Sequence, residues 1–345
     1  MNAVSPTTPV ATDKADALTP SAGSGPWLRA WKLLKRDKPT VAAAVLLVII
    51  ILSSLAAPLY ARHVAGTDPF RSNLSGKIML DGKKTKIMQP STEGLGLGVT
   101  PIGPTWTARY FLGADTQGRD VAARLLYGGR NSLVIAASAT GICLVLAALV
   151  GISAGFFGGA VDMVLSRLLE ILWAFPVYLL AISLSIVLIS KGITIGPVEI
   201  TADSLLLPIG IIGIIYVPYV ARPVRGRVLA LKEGEFVLAA VGLGIPAWRI
   251  LLKDILPNVS TMLIVFIPLM MALNIVTESA LSFLSIGVQA PDASWGTIIQ
   301  DGQTLLYTRP VVALAPGIAI ALTVLALNVL GDSIRDALDP RTKIV

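Results

Sequence analysis

Long apolar runs separated by short polar segments dominate this chain. Six of the runs have the length, roughly 17 residues or more, at which a helix can cross the hydrocarbon core of a bilayer. Because a helix pairs its backbone polar groups internally, the pattern predicts an all-α polytopic membrane protein. The predicted transmembrane helices are 41–60, 132–157, 163–190, 204–220, 260–284 and 311–330.

Prolines interrupt several of these predicted helices, and Pro176 breaks the third one. Proline kinks are tolerated where neighbouring helices or water pair with the freed carbonyl groups, as they do along a transport pathway. The other prolines of this kind are Pro208, Pro218, Pro268 and Pro316.

The polar segments form further units. Residues 1–26 are rich in Ala, Ser, Thr and Pro without periodicity, which predicts a disordered tail. Residues 27–40 place Trp and Leu on one helical face and cations over much of the rest, which predicts an amphipathic helix in the membrane interface; a polybasic tail is the alternative. Residues 61–125 predict a polar extracytoplasmic loop, with a hairpin around Asp81-Gly82. The other five transmembrane helices fall within 126–335, and 336–345 form a tail.

Composition and charge agree with this class of protein. Of 345 residues, 54% are hydrophobic and 14% charged, with a mean hydropathy of +0.76. The net charge of +7 could suggest nucleic acid, but the cations lie between the apolar runs, where a topological bias explains them better. The short loops near 191–203 and 285–310 hold only Lys191 and Arg309 as cations. This distribution predicts that both termini are cytoplasmic.

The chain offers little to catalysis or metal binding. Cys143 is the only cysteine and His63 the only histidine. An intrachain disulfide is therefore excluded, and neither residue type can supply a metal cluster. A serine nucleophile would have to use His63, which lies in a polar loop. We predict no catalytic residue and no metal site.

One polar segment stands out between two apolar runs. It reads GEFVLAAVGLGIPAWRILLKDILPN over 234–258 and belongs to the predicted cytoplasmic loop 222–258. Gly242, Gly244 and Pro246 would break a single long helix. The segment therefore predicts a short helix, a turn, and a second helix that leads into the fifth transmembrane helix.

Four motifs in this order resemble the C-type permease subunit of the dipeptide and oligopeptide ABC importers. The resemblance covers roughly residues 27–345, and the loop near 70–105 is longer than is usual in that family. It implies the type I ABC importer permease fold with six transmembrane helices. The motifs are FLGAD at 111–115 with GRD at 118–120, YG at 127–128 and RNSL at 130–133; the 234–258 segment; ESALSFLSIGVQAPDASWG at 278–296; and NVLGDSIRDALDPR at 328–341.

The resemblance implies a transport subunit and not an enzyme. Such a subunit forms half of a pore with a second, homologous permease in the bacterial cytoplasmic membrane. Two cytoplasmic ATPases bind ATP and Mg²⁺ below it, and an extracytoplasmic binding protein delivers substrate above it. The chain itself would contact membrane lipid, bind no cofactor and bind no nucleic acid. It contains no Gly-Lys-Ser/Thr string of the phosphate-binding type.

The same resemblance implies an ATPase-coupling role for the 234–258 segment. In two respects the chain departs from the family: Leu238 stands where a Glu usually precedes the two alanines, and Val241 stands where a polar residue usually follows them. The departure puts the choice of ATPase in question more than the function. The implied coupling residues are Glu235, Leu238, Ala239, Ala240, Leu243, Gly244, Arg249, Ile255, Leu256 and Pro257.

Glu278 follows a long apolar run, and ionisable residues at membrane depth are often functional. We therefore assign Glu278, with Ser282, to the pathway or its gating. The alternative is that Glu278 marks the outer membrane interface.

Other classes remain open at this point. An ion-coupled secondary transporter would need acidic or His residues at mid-membrane and often an internal repeat, and the chain shows few of the former and no clear repeat. A channel would not need the 234–258 segment. Within the importer class the substrate could be a peptide, nickel, glutathione, an opine or an oligosaccharide, because specificity is expected to lie largely in the binding protein.

Overall fold

The computed structural model describes residues 33–80, 82–91, 98–191, 193–195, 198–201 and 204–338. The predicted disordered tail lies outside these residues, as do residues 27–32 of the predicted interfacial helix, Asp81 and the end of the chain beyond 338.

The first long helix, α1, spans Lys38–Leu55. The carboxylate of its N-cap, Asp37, accepts a hydrogen bond from the backbone N–H of Thr40 at 3.2 Å. A helical turn at 33–36 precedes this cap, so residues 38–40 belong to the long helix and not to the predicted interfacial one. A short helix α2, Ala57–Leu59, and a π-helical turn, Tyr60–Ala65, follow.

A small β subdomain follows α2. Strand β1, Lys77–Leu80, pairs antiparallel with β2, Lys83–Lys86, as the hairpin prediction requires. Strand β3, Met88–Pro90, pairs in the same way with β4, Val99–Pro101. The subdomain has its own small core, which comprises Ile78, Ile87, Ile102, Tyr110 and Ala114.

Helix α3, Val121–Phe157, comprises 37 residues. The Asp120 carboxylate caps its first turn by accepting from the N–H groups of Ala122 at 3.0 Å and Ala123 at 3.2 Å. The helix therefore begins eleven residues before the predicted second span, and the preceding polar loop ends at 120 instead of 125.

Two spans are broken. Helices α4, Gly159–Ala174, and α5, Val177–Lys191, meet at 90°. Phe175 between them is extended, the conformation that the following Pro176 favours, so the predicted break occurs where the sequence places it. A short hairpin of β5, Ile193–Ile195, and β6, Val198–Ile200, follows. Helices α6, Leu206–Ile215, and α7, Val217–Lys232, meet at 42°.

The remaining helices are α8, Glu235–Gly242; α9, Ala247–Ile250; α10, Leu256–Phe283; α11, Trp295–Gly302; and α12, Val311–Leu338. A π-helical turn, Leu251–Ile255, joins α9 to α10 without a break. Among the residues that the structure describes, four continuous helical stretches are long and apolar enough to cross a membrane, and the number rises to six if each bent pair is one span. That number equals the six predicted spans.

Close contact between α3 and α7 lies at the centre of the bundle. A Cβ added to Gly151 would lie 2.7 Å from the carbonyl oxygen of Ala221 and 2.7 Å from Cγ1 of Val224. One turn later, a Cβ on Gly155 would lie 2.8 Å from Cβ of Val228. Small residues at such interfaces let helix backbones approach, and in lipid this packing replaces the hydrophobic effect as the force that joins helices.

Gly151→Val should therefore destabilise the folded chain. Overpacking a filled site costs about 1–3 kcal/mol, because the added methyl groups must displace α7. We expect a lower midpoint of thermal unfolding, measured by size-exclusion chromatography of heated, detergent-solubilised protein. Gly141→Val in the same helix is the control, since no atom lies within 4 Å of a Cβ added to Gly141. Equal midpoints for the two variants would contradict this view of the interface.

Candidate functional site

The 234–258 segment forms the helix, turn and helix that the sequence predicts. Helix α8 ends in a Schellman motif: the N–H of Ile245 donates to the carbonyl of Ala240 at 3.1 Å, and that of Gly244 to Val241 at 3.0 Å. Gly244 has a φ of +71°, a left-handed conformation that costs a residue with a side chain roughly 1–2 kcal/mol. Gly244 therefore sets the turn between α8 and α9.

The segment has two contrasting faces. Val237, Ala240 and Ile250 are buried and belong to the main hydrophobic core of the bundle. The opposite face is apolar and exposed: Leu243 has 79% of its surface accessible and Trp248 has 64%. We call this surface the coupling face, and it comprises Phe236, Leu238, Ala239, Val241, Leu243, Trp248 and Leu252.

The two adjacent alanines therefore separate. Ala239 is exposed on the coupling face, whereas Ala240 is 9% exposed and packs into the bundle. The sequence analysis named both alanines as coupling residues, but of the two only Ala239 lies on the free face of α8. Residues one position apart on a helix point about 100° away from each other, so one of two adjacent alanines turns inward.

The remaining predicted coupling residues lie in three different environments. Glu235 and Arg249 are exposed charges beside the coupling face. Ile255 is fully buried in the core, so it connects the segment to the bundle and offers no surface to a partner. Leu256 and Pro257 form the first turn of α10, where the missing N–H of proline is harmless.

Two contacts brace the C-terminal end of α7, just before this segment. The guanidinium of Arg225 donates to both carboxylate oxygens of Asp162 on α4, at 2.5 and 2.6 Å. The ammonium of Lys232 donates to the carbonyl of Phe156, near the end of α3, at 2.8 Å. The coupling face is therefore attached to a braced helix on one side and to α10 on the other.

Glu278 lies at the other end of α10, 22 residues from Leu256, which corresponds to about 33 Å of helix. Its side chain is fully buried. The hydroxyl of Ser132 on α3 donates to one carboxyl oxygen at 2.8 Å, and that of Ser282 donates to the other at 2.7 Å. Glu278 and Ser282, which the sequence assigned together, are therefore in direct contact.

The two serines extend this network to the outer loop. The Ser132 hydroxyl accepts from the backbone N–H of Trp295 at 3.2 Å, and the Ser282 hydroxyl accepts from that of Val288 at 3.0 Å. Each hydroxyl oxygen thus accepts a backbone N–H and donates its own proton to the Glu278 carboxyl. We call Glu278, Ser132, Ser282 and these two backbone groups the outer cap. It holds the 285–296 segment against α3 and α10.

Glycines make this contact close. A Cβ on Gly296 would lie 2.3 Å from the carbonyl oxygen of Ser279, and one on Gly128 would lie 3.0 Å from the carbonyl carbon of Ser294. The motifs at 127–133 and 278–296, which are far apart in the sequence, therefore form a single packed unit.

The structure contains a second polar network that the sequence analysis did not predict. Arg119 donates to Asp115 at 2.7 Å and to Asp301 on α11 at 2.8 Å, and Arg124 also donates to Asp301 at 2.8 Å. Both arginines are nearly buried, at 5% and 2% exposure. Burial raises the pKa of the Asp301 carboxyl, and the guanidinium groups of Arg124 and Arg119 oppose that rise. The GRD motif signalled Arg119, but no motif that we recognised included Arg124 or Asp301.

Comparisons with known proteins agree with this arrangement. The model of the binding-protein-dependent transport system inner membrane component family matches residues 147–344. The model of the N-terminal TM domain of oligopeptide transport permease C matches residues 25–75.

Individual relatives match along most of their length. The dipeptide transport system permease protein DppC of Alkalihalophilus pseudofirmus is 33% identical over 92% of this chain and 91% of its own. The oligopeptide transport system permease protein OppC of Haemophilus influenzae is 32% identical over 93% and 90%. The glutathione transport system permease protein GsiD of Pectobacterium atrosepticum is 34% identical over 70% and 75%.

The bundle is thus that of an ABC importer permease, a multi-pass transport subunit and not an enzyme. The chain belongs to the family of binding-protein-dependent transport system inner membrane components. The comparisons support this class over an ion-coupled secondary transporter.

Glu278→Gln should weaken the outer cap. The amide replaces one acceptor oxygen with a donor, so one serine hydroxyl loses its acceptor in a buried site, at a cost of about 1–3 kcal/mol. We expect a lower midpoint of thermal unfolding. Glu170→Gln is the control, because Glu170 is 53% exposed and its ion pair with Arg167 contributes little. An unchanged midpoint for Glu278→Gln would show that the carboxyl does not hold the outer loop.

Proposed function

We propose that this chain is the permease subunit of a binding-protein-dependent importer of dipeptides or oligopeptides. We further propose that its coupling face docks on cytoplasmic ATPases. The observation that carries the second proposal is the coupling face itself, an exposed apolar surface whose reverse side is packed into the core of the bundle. Exposed apolar patches on otherwise packed proteins mark contact sites.

Each predicted coupling residue has a role in this proposal. Leu238, Ala239 and Leu243 make apolar contact with the ATPase, and Glu235 and Arg249 face its charged rim. Gly244 sets the angle between α8 and α9. The remaining four residues attach the docked segment to the bundle and to the fifth transmembrane helix: Ala240, Ile255, Leu256 and Pro257.

The departure at Leu238 fits the apolar character of the coupling face. Leu238 is 58% exposed and Val241 is 59% exposed, so the residues that replace polar family positions enlarge that face. A lost carboxylate at position 238 removes at most an exposed ion pair, worth about 0–1 kcal/mol. The ATPase that fits this chain therefore presents an apolar groove.

The mechanism follows from rigid connections. ATP and Mg²⁺ bind in the ATPases and close their dimer, which moves the coupling face of each permease. Ile250 and Ile255 anchor this face in the core, so the movement passes into α10 and to the outer cap about 33 Å away. ATP can shift the pore between inward-open and outward-open states only by favouring one of them.

Glu278 and Ser282 act in gating under this proposal. Their contacts fix the outer loop to α3 and α10, so a change in the position of α10 alters the closure of the outer end. Their burial favours gating over direct contact with substrate.

The complex comprises a second, homologous permease, two ATPases and an extracytoplasmic binding protein, in the bacterial cytoplasmic membrane. Both termini face the cytoplasm, which places the cations of 222–258 inside. The names of the DppC and OppC relatives favour peptide as cargo, and glutathione transport by the GsiD relative belongs to the same class.

Leu243→Asp should detach the ATPases without disturbing the membrane part. A charge at this site would be buried against an apolar groove, at a cost of several kcal/mol. We expect a gentle-detergent pull-down of the tagged chain to recover a second permease and ATPases with the wild type, and only the second permease with the variant. Mass spectrometry identifies the partners.

Two further variants complete this test. Leu306→Asp, at an exposed site that is 45% accessible on the extracytoplasmic side, should retain all partners. Leu238→Glu, which restores the usual family residue, should change ATPase affinity by less than about fivefold. Recovery of ATPases with Leu243→Asp at wild-type yield would exclude the coupling face as the docking site.

A further inference from the structure

The β1–β2 hairpin presents a basic surface. In the antiparallel register Lys77 lies opposite Lys86, and Met79 lies opposite Lys84, so these four side chains share one face. All four are exposed, and Met79 is 62% exposed. The other face carries Ile78, which is buried in the subdomain core. The outward face of the hairpin is therefore three lysines around a methionine.

A cleft of about 440 Å³ opens beside this hairpin. Lys77, Arg71 and Arg109 supply cations to its lining, whereas Asp68 is the single acidic residue among the residues that line it. The other lining residues are uncharged; Leu74 and Ile78 are apolar, and the polar ones include Asn73, whose amide donates to the Tyr110 hydroxyl at 3.1 Å. We call the hairpin lysines and the two arginines of the cleft the basic face: Lys77, Lys84, Lys86, Arg71 and Arg109.

The subdomain does not neutralise these charges. Within the described part of the chain, none of the five cations forms an ion pair or a side-chain hydrogen bond. Arg119 and Arg124, by contrast, are matched by two aspartates. Like charges directly opposite each other in a hairpin are destabilising, so Lys77 and Lys86 together cost the isolated subdomain stability. An external acidic surface would relieve that cost.

We infer that the basic face docks an acidic surface of the extracytoplasmic binding protein. This inference rests on the proposed function, which supplies a partner on this side of the membrane. The cleft that Lys77, Arg71 and Arg109 line favours a protein over anionic lipid, because a protruding acidic loop can enter it whereas a membrane surface would touch only its rim. Complementary charge of this kind accelerates encounter and makes it sensitive to salt.

The first experiment identifies the partner and the face together. A photo-crosslinking amino acid replaces Lys84 in the full chain, in its native cells, and Lys83 in a matched strain. Lys83 is the adjacent exposed residue but lies opposite Leu80, on the other side of the hairpin. We expect position 84 to crosslink to an extracytoplasmic binding protein and position 83 to do so much less. Equal crosslinking, or none at position 84, would contradict the inference.

The second experiment measures the charge effect. The assembled transporter is placed in phosphatidylcholine nanodiscs. It is titrated with the free binding protein that the crosslinking experiment identified, while its ATPase activity is followed. Charge reversal in K77E/K84E/K86E should raise the half-maximal concentration about tenfold or more, and K83E less than about twofold. High salt should weaken the wild type more than the triple variant. Basal ATPase activity should be unchanged, which verifies that the variant is folded and assembled.

The remaining outcomes separate the possible failures. If K77Q/K84Q/K86Q and the charge reversal both leave the half-maximal concentration unchanged, the basic face does not dock the binding protein. If the shift appears only in nanodiscs with phosphatidylglycerol, the face binds anionic lipid and the inference is wrong. If the wild type shows no stimulation by any extracytoplasmic binding protein, the proposed function fails, and the inference fails with it.

Discussion

The close approach of α3 to its neighbours is the constraint on which the other features depend. In lipid, apolar side chains gain nothing by leaving one apolar surface for another, so helices associate through packing and polar contacts. Gly151 and Gly155 bring the C-terminal half of α3 against α7. At the outer half, a Cβ on Gly129 would lie 2.6 Å from the Ser54 hydroxyl of α1. One helix thus contacts α7, which leads into the 234–258 segment, and also carries Ser132 of the outer cap.

The two ends use opposite chemistry. The 234–258 segment exposes apolar side chains and is anchored by buried ones, as the proposed docking on an ATPase requires. The outer end buries a carboxyl group among hydroxyl and backbone donors. A buried carboxyl without such donors would be costly, so the outer cap specifies one arrangement of α3, α10 and the outer loop. Helix α10 runs between the two ends, and its continuity through the π-helical turn makes it the element that can transmit motion.

Two groups of cations differ in whether acidic side chains of the chain pair with them. Arg119 and Arg124 are buried and matched by Asp115 and Asp301, which attach the FLGAD segment to α11. The cations of the basic face are exposed and unmatched by the described residues. Each buried arginine has an opposite charge in contact, whereas our inference places the counterpart of the exposed cations on another protein.

The sequence by itself determined the features that depend on local backbone chemistry. Apolar length predicted the spans, Pro176 predicted the break between α4 and α5, and Gly244 predicted the turn in the 234–258 segment, because span length, the pre-proline conformation and a left-handed φ are properties of a few consecutive residues. Tertiary structure decided what depends on distant partners. Glu278 meets Ser132 across 146 residues, and Arg124 meets Asp301 across 177. Only the packing of α8 on the bundle separates exposed Ala239 from buried Ala240, because adjacent alanines are chemically identical until one face of the helix is covered.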